Sequence, residues 1–271
     1  MVRSLWTAST GMRAQQTNVD TIANNLANVN TMGYKTEVNE FKSLLYQTLQ
    51  TKTTTADGNR KPIGAQVGLG VRNASITSIF TDGALLASAS DSAFALSGRG
   101  FFSVRGEDGT QYYTRNGSFN WAINDQGGVM LTNSDGLPVL DSNGNAISFG
   151  PEYIASQITV TGDGQFCYPD ANNNPQPLGI TFGIYQFNNP AGLEKRDSGL
   201  FEESVASGGA INEATTQGVS RSKVSQGYLE GSNVQVVDEM VNLITAQRAY
   251  ELNSKAITAS DEMLQQANNL R

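Results

Sequence analysis

The chain has 271 residues, of which 38% are apolar and 16% charged, and its formal net charge is −7. That acidic balance argues against a nucleic-acid partner, because phosphate affinity rests on clustered Lys and Arg. Histidine is absent, which removes the side chain that titrates near neutrality and is the commonest metal ligand, and with it most hydrolase triads.

The first ten residues lack the roughly 7–15-residue apolar core of a secretory signal. No run reaches the about 18 apolar residues that a membrane helix needs, so the sequence reads as soluble and without a cleaved export signal. From Leu5, the positions Ala8, Met12, Gln15, Val19, Ile22, Leu26 and Val29 recur at alternating steps of three and four. This is a heptad seam on one helix face and predicts a helix within residues 1–35. Asn, Thr and Gly cluster from Asn30 to Gly33, so the helix is expected to stop there with Gly33 as a left-handed cap. Four amides, Gln15, Asn24, Asn25 and Asn28, crowd the same short helix. Asparagine is a poor helix-interior residue, and these amides are read as hydrogen-bonding groups between packed helices in preference to a merely wet face.

Residues 36–66 change character. Thr48 to Lys61 is rich in Thr and contains Asp57-Gly58-Asn59, which predicts an extended connector or loop. Residues 67–228 alternate short apolar runs with the dipeptides Asp82-Gly83, Asp108-Gly109, Asn116-Gly117, Asp135-Gly136, Asn143-Gly144 and Asp163-Gly164. Such pairs tolerate positive φ, as tight hairpins require, and predict an antiparallel β domain. The expected strands are 101–104, 112–114, 128–131, 158–160 and 179–187. Cys167, between Phe166 and Tyr168, is expected on a strand as a partly buried, unreactive thiol, because no His is present to ionise it.

Within this region, Gly98-Arg99-Gly100-Phe101-Phe102 lacks the third glycine and the following helix of a dinucleotide loop and is read as a turn. Asp141-Ser142-Asn143-Gly144-Asn145 has its glycine at the fourth place and no glutamate at the twelfth, so it is read as a hairpin turn and not as a calcium loop. Adjacent carboxylates such as Glu202-Glu203 and Asp261-Glu262 do not converge on one substrate atom and are read as solvated surface. No catalytic, metal-binding or cofactor-binding residue, and no small-molecule substrate, is expected.

Residues 229–271 return to helix. Ser232 and Gln235 have capping-box spacing, and Asp238 and Glu239 suit the positive end of a helix dipole. Leu243, Tyr250, Ile257 and Leu264 repeat every seven residues, with Ala246, Asn253, Ser260 and Ala267 between them. Glu251 and Lys255 form an i, i+4 pair. Leu252, Ala256, Ala259, Met263 and Leu270 make a second apolar stripe, so this helix is expected to touch more than one neighbour. Met240 and Gln247 complete the expected contact set. Burial of single seams falls short of the entropy lost in ordering such helices, and the balance is assigned to neighbouring copies. Identical copies meeting through different patches build a ring or a helical filament.

The run Ala23-Asn24-Asn25-Leu26-Ala27-Asn28-Val29-Asn30-Thr31-Met32-Gly33-Tyr34-Lys35 resembles the amino-terminal signature of bacterial flagellar rod and hook proteins. Gly227-Tyr228-Leu229-Glu230, Ser232-Asn233-Val234, Glu239-Met240-Val241 and Gln247-Arg248-Ala249-Tyr250-Glu251 resemble the carboxyl-terminal one. Arg3-Ser4-Leu5-Trp6, Thr10-Gly11, Ala14-Gln15-Gln16, Leu44-Leu45-Tyr46-Gln47, Asp91 to Val104 and Tyr113 to Phe119 are most similar to the distal-rod members. Departures are Ser88 to Ser90 and an enlarged loop from Asp170 to Pro177.

The resemblance implies an α+β, mostly β fold, in which the two terminal helices form a coiled-coil-like inner tube and a central antiparallel β domain is inserted between them. It implies a drive-shaft subunit that is a homopolymer and transmits torque from motor to hook. The implied partners are other rod subunits below, hook or hook-junction proteins above, the P- and L-ring bushings and the type III export apparatus, with the rod crossing the periplasm. Residues 36–66 would lock neighbours and keep the shaft straight. A proximal rod subunit or the hook is the nearer alternative. A wall-degrading enzyme lacks a convincing catalytic acid, and a monomeric adhesin leaves the terminal seams unexplained.

Overall fold

The computed structural model describes residues 2–50, 64–124, 127–170, 174–216 and 218–269. The expected connector beyond Gln50, the centre of the 170–177 loop and Leu270 lie outside the described residues. The chain divides into two compact units, the first built from 1–27, 37–78 and 235–271, the second from 28–36 and 79–234.

In the first unit, α1 (Val2–Ala27) and α2 (Val236–Asn269) pack against each other. They run antiparallel: the Ser4 and Ser260 hydroxyls lie 3.2 Å apart, Gly11 faces the Asn253 amide, and Asn25 Nδ2 donates to Glu239 Oε2 at 3.3 Å. Gly11 gives the Asn253 amide its room, since a Cβ there would stand 2.9 Å from Asn253 Nδ2 and push that side chain aside. Ala8 and Ile22 of the first seam are buried and its other members are half-buried. Across from it, Ala246 and Ser260 are buried, and Leu243, Asn253, Ile257 and Leu264 are half-buried, whereas Ala267 is exposed. Apart from Ile22, the fully buried members of the seam are small, Ala8, Ala246 and Ser260, and side-chain size at the contact sets how closely helices approach.

The same unit holds two antiparallel ribbons, of which the first packs on α1. Strand β1 (Glu37–Ser43) pairs with β4 (Val71–Ser78) through a bulge at Glu40/Phe41, and β2 (Tyr46–Gln50) pairs with β3 (Ala65–Gly68). Thr48 to Gln50 is therefore strand where a connector is expected from sequence, because cross-strand pairing supplies partners for its backbone. Ile22 is the only large apolar side chain among the described residues of this unit that is buried; the rest of its interior is Ala, Ser, Thr, Asn and Glu.

The second unit is a set of small antiparallel sheets. Its largest sheet orders Glu194–Lys195, Leu200–Glu202, Gln111–Thr114, Phe101–Arg105, Ile184–Gln186 and Ile211–Asn212. Three-stranded sheets join Asn120–Ile123, Val129–Thr132 and Ser148–Phe149, and Thr159–Val160, Gln165–Pro169 and Pro175–Thr181. Two ribbons pair Lys223–Gln226 with Phe94–Ser97 and Tyr228–Glu230 with Leu85–Ala87. Alternation along Phe101–Arg105 explains the adjacent phenylalanines: Phe102 and Val104 enter the main core with Phe94, Phe166 and Phe182, while Phe101 enters a second cluster with Tyr113, Phe187 and Phe201. Both faces of this strand are buried. Edge-on ring pairs such as Phe94–Phe182 at 5.0 Å and Tyr113–Phe187 at 4.8 Å knit each cluster.

Four sequence expectations change in detail. First, α1 ends at Ala27, earlier than expected, where Thr31 N–H returns to Asn28 O and the Thr31 hydroxyl donates to Asn28 Oδ1; such side chains offer the backbone an alternative to helix. Gly33 has φ 71° but caps no helix: its N–H donates to Glu230 O at 2.8 Å, and a Cβ would sit 2.7 Å from the Arg115 carbonyl carbon. Second, α2 begins at Val236, and Gln235 O accepts the first helical bond from Glu239 N–H at 3.0 Å. Ser232 Oγ accepts from Val234 N–H, so the capping box does not form. Asn233 holds that stretch off the helix: its Oδ1 accepts from Thr36 N–H and Oγ1, and its Nδ2 donates to Ile79 O. Third, the expected strand 179–187 is broken at Phe182-Gly183, where Gly183 passes so close to Asp141 that a Cβ would stand 2.5 Å from its carbonyl oxygen. Fourth, Gly109, Gly136, Gly144 and Gly164 have the positive φ expected of turns, but Gly83 and Gly117 do not. A Cβ on Gly117 would lie 1.6 Å from Phe94 O, so close approach is what requires glycine there.

Candidate assembly surface

Cys167 lies on Gln165–Pro169 and is buried. Asp141 Oδ1 accepts from the N–H groups of Asn143 and Asn145, both at 2.8 Å, which makes that loop an Asx turn. In the 98–102 loop, Gly100 N–H donates to Ser222 Oγ at 2.8 Å, and strand follows. No group of three or more His, Cys, Asp or Glu suited to a metal is found among the described residues.

The most heavily buried charges form a clamp inside the second unit. Lys35 Nζ lies 2.5 Å from Glu230 Oε1 and donates to Thr81 O at 2.6 Å; Arg115 Nη1 lies 3.3 Å from Glu230 Oε2, and Arg115 Nη2 donates to Gly98 O. Gly83 N–H also donates to Glu230 Oε1, and the Arg115 guanidinium stacks 5.1 Å over the Phe101 ring. Burial holds the Lys35 ammonium below the ordinary lysine range, and Glu230 draws it part of the way back. Backbone bonds from Gly33 N–H to Glu230 O and from Asn233 N–H to Tyr34 O run alongside. The segments 28–36 and 227–234, which continue into α1 and α2, are thereby held side by side.

Sequence reasoning passed over these three charges. Lys35 closes the amino-terminal signature, Glu230 sits in the carboxyl-terminal one, and Arg115 sits in Tyr113-Thr114-Arg115-Asn116-Gly117. The available signal was that Lys35, Arg115 and Glu230 are each the one charge in their runs Ala23 to Lys35, Tyr113 to Phe119 and Gly227 to Glu230, two cations against one anion.

The first unit also exposes many large apolar side chains. On α2, Val237 is 74% exposed and Leu252 66% exposed, and Met240, Val241, Ile244 and Met263 are each about half exposed. Trp6 on α1 and Leu45, Tyr46 and Leu49 near β2 are also exposed. Clustering of large exposed apolar side chains on one unit is what an association face requires.

The expected contact residues divide between the two sides of the helices. Leu5, Met12, Gln15, Val19, Ile22 and Leu26 of α1, and Leu243, Ile257 and Leu264 of α2, are buried or half-buried, as is Val29 beyond the end of α1; Asn24, Met240, Gln247 and Tyr250 are exposed. The amides diverge. Asn25 is buried, with Oδ1 accepting from Glu37 N–H at 2.9 Å and Nδ2 donating to Glu37 O and Glu239, so it bridges packed helices within one chain. Asn28 serves the turn to Thr31.

A β body with a dense aromatic core, a helical unit with a thin core and apolar outer stripes, and buried charges spent on holding chain segments together define a structural subunit. Three family models match: "Flagella basal body rod protein" over residues 5–35, "Flagellar hook protein FlgE/F/G D1 domain" over 95–168, and "Flagellar basal body rod FlgEFG protein C-terminal" over 225–270. The flagellar basal-body rod protein FlgG of Borreliella burgdorferi is 45% identical over 274 residues, covering 100% of this chain and 99% of the relative. FlgG of Bacillus subtilis is 37% identical over 273 residues, with both chains covered in full, and the hook-basal body complex protein FlhP of the same organism is 31% identical over 278 residues, again with full coverage. The chain belongs to the FlgG family of flagellar basal-body rod proteins. It is a structural rod subunit and not an enzyme.

Proposed function

We propose that copies of this chain stack through the first unit into a helical tube, the distal rod, and that the second unit forms its outer layer. The observation that carries this reading is the imbalance among the described residues of the first unit, where one buried large apolar side chain stands against many exposed ones on α2 together with Trp6 of α1 and Leu45, Tyr46 and Leu49 at β2. A unit so cored gains most of its stability from sister copies. In this reading the α1/α2 seam, from Leu5 to Val29 and from Leu243 to Leu264, holds the antiparallel hairpin, and Met240, Gln247, Tyr250 and the Leu252 stripe meet neighbours. Torque passes through these repeated contacts and makes or breaks no bond.

The other partners follow from the same assignment: further rod subunits below, hook or hook-junction proteins above, ring bushings around the shaft, and the flagellar type III export apparatus. The rod would cross the periplasm. Electron microscopy of concentrated protein tests the proposal: straight tubes are expected, curved polymers would instead favour the hook, and a monodisperse solution under every assembly condition would refute it. Deleting residues 1–33 is expected to abolish polymers.

A further inference from the structure

A cleft of about 410 Å³ opens in the first unit between α1 and β4, with Arg13, Gln16, Leu44, Arg72 and Asn73 on its wall. Val71 N–H donates to Thr10 Oγ1 at 3.4 Å and ties β4 to α1 beside it. Gly70 permits that approach, since a Cβ there would collide with the same hydroxyl. Both arginines are exposed, so their guanidiniums are open to an incoming group, and neither has an ion-pair partner among the described residues. No described carboxylate lines the cleft. Two guanidiniums on one wall repel each other, and a carboxylate between them relieves the repulsion and accepts their forked hydrogen bonds.

The complementary charge stands in the apolar stripe of α2. Asp238 is exposed, has no partner among the described residues, and is absent from the wall of its own chain's cleft. Its helix neighbours Val237 and Val241 are 74% and 54% exposed. When that surface is covered by another copy, Asp238 at its margin loses water too, and a carboxylate desolvated without a cation is strongly unfavourable. The other exposed acids of the helices fit less well. Glu251 already pairs with Arg248 and Asp261 receives the Gln265 amide, while Asp20 and Glu262 have mostly polar neighbours three and four residues away. On the cleft side, Leu44 on the wall and the exposed Leu45 next to it offer the stripe an apolar counterpart.

We infer that the Arg13–Arg72 cleft receives Asp238 of a second copy of this chain, so that copies are registered by a carboxylate between two guanidiniums as well as by apolar contact. This rests on the assembly reading above and names one contact within it. Charge pairing fixes register, whereas greasy stripes by themselves tolerate sliding.

The test is a double-mutant cycle on the full-length chain: Arg13→Gln with Arg72→Gln, Asp238→Asn, and all three together. Critical concentration for polymerisation is read by pelleting, and monomer stability by urea unfolding. Removing either side of the pair is expected to raise the critical concentration about tenfold, the scale of losing a charge-assisted pair, and removing both should raise it no further. Any weakening of the start of α2 by D238N belongs to the monomer, is read in urea, and cancels in the cycle. If the two changes multiply to about a hundredfold, or if either alone leaves the wild-type concentration unchanged, the pairing is overturned and the assembly reading stands. If wild type itself never polymerises, the assembly reading falls and the pairing with it. Should the double arginine variant fail to fold, Arg72→Gln alone is judged by the same outcomes.

Discussion

Replacing Glu230 with Gln removes the carboxylate that Lys35 and Arg115 share while preserving side-chain shape. Both cations have only 1% of their side chains exposed. Arg115 retains Asp82, 3.6 Å away and about half exposed, but Lys35 loses the carboxylate at 2.5 Å and keeps only Thr81 O and a neutral amide. Breaking a buried pair from one side typically costs about 3–5 kcal/mol, because a charge is left uncompensated. With a urea slope of about 2 kcal/mol/M, the unfolding midpoint of the second unit should fall by roughly 1.5–2.5 M. Trp121 belongs to that unit and Trp6 to the first, so Trp121 fluorescence in a Trp6→Phe background reads the change selectively. Lys35→Met combined with Glu230→Gln removes both charges of the pair and should recover a large part of the loss. The reasoning is refuted if E230Q unfolds within about 0.5 kcal/mol of its parent, or if the double variant is no more stable than E230Q.

Burial, with Glu203 as a lesser cause, raises the Tyr113 phenol far above its ordinary range. A group raised on folding contributes stability that is fully present below its unfolded pKa of about 10 and is lost as pH climbs toward the folded value. Tyr113→Phe should therefore lose less stability between pH 9 and pH 12 than wild type, and equal losses in urea titrations would contradict this. Gly117→Ala places a methyl against Phe94 O and should destabilise the second unit by more than about 2 kcal/mol; a midpoint shift below 0.5 M urea would show that the backbone yields freely. Leu252→Glu, on an exposed stripe, should leave monomer unfolding within about 0.5 kcal/mol of wild type yet suppress sedimentable polymer, and unchanged sedimentation would remove that stripe from the interface. In dilute solution the amides of α1 and α2 should exchange faster than those of the Phe101–Arg105 strand; equal protection would argue that the helix pair is stable alone.

Periodicity is enough to set out the two helices: steps of three and four from Leu5 to Leu26, and the sevens at Leu243, Ile257 and Leu264, fall on buried or half-buried positions because a helix of 3.6 residues per turn places such positions on one side, whereas Tyr250 of the same row stays exposed. The turn dipeptides likewise announced an antiparallel β region, since Gly109, Gly136, Gly144 and Gly164 take backbone angles that other residues avoid. What local sequence lacked was any account of distant partners. Gly117 and Gly83 carry the same dipeptide signal as the hairpin glycines, yet a neighbouring carbonyl oxygen is what makes a side chain impossible there. Ser232 and Gln235 have the right spacing for a cap, but Asn233 is held by Thr36 and Ile79. The charges Lys35, Arg115 and Glu230 stand 80 and 115 residues apart along the chain, so no window on the sequence joins them. A heptad is a property of one helix and can be read from one segment; a buried ion cluster exists only when separate segments remove the water between them.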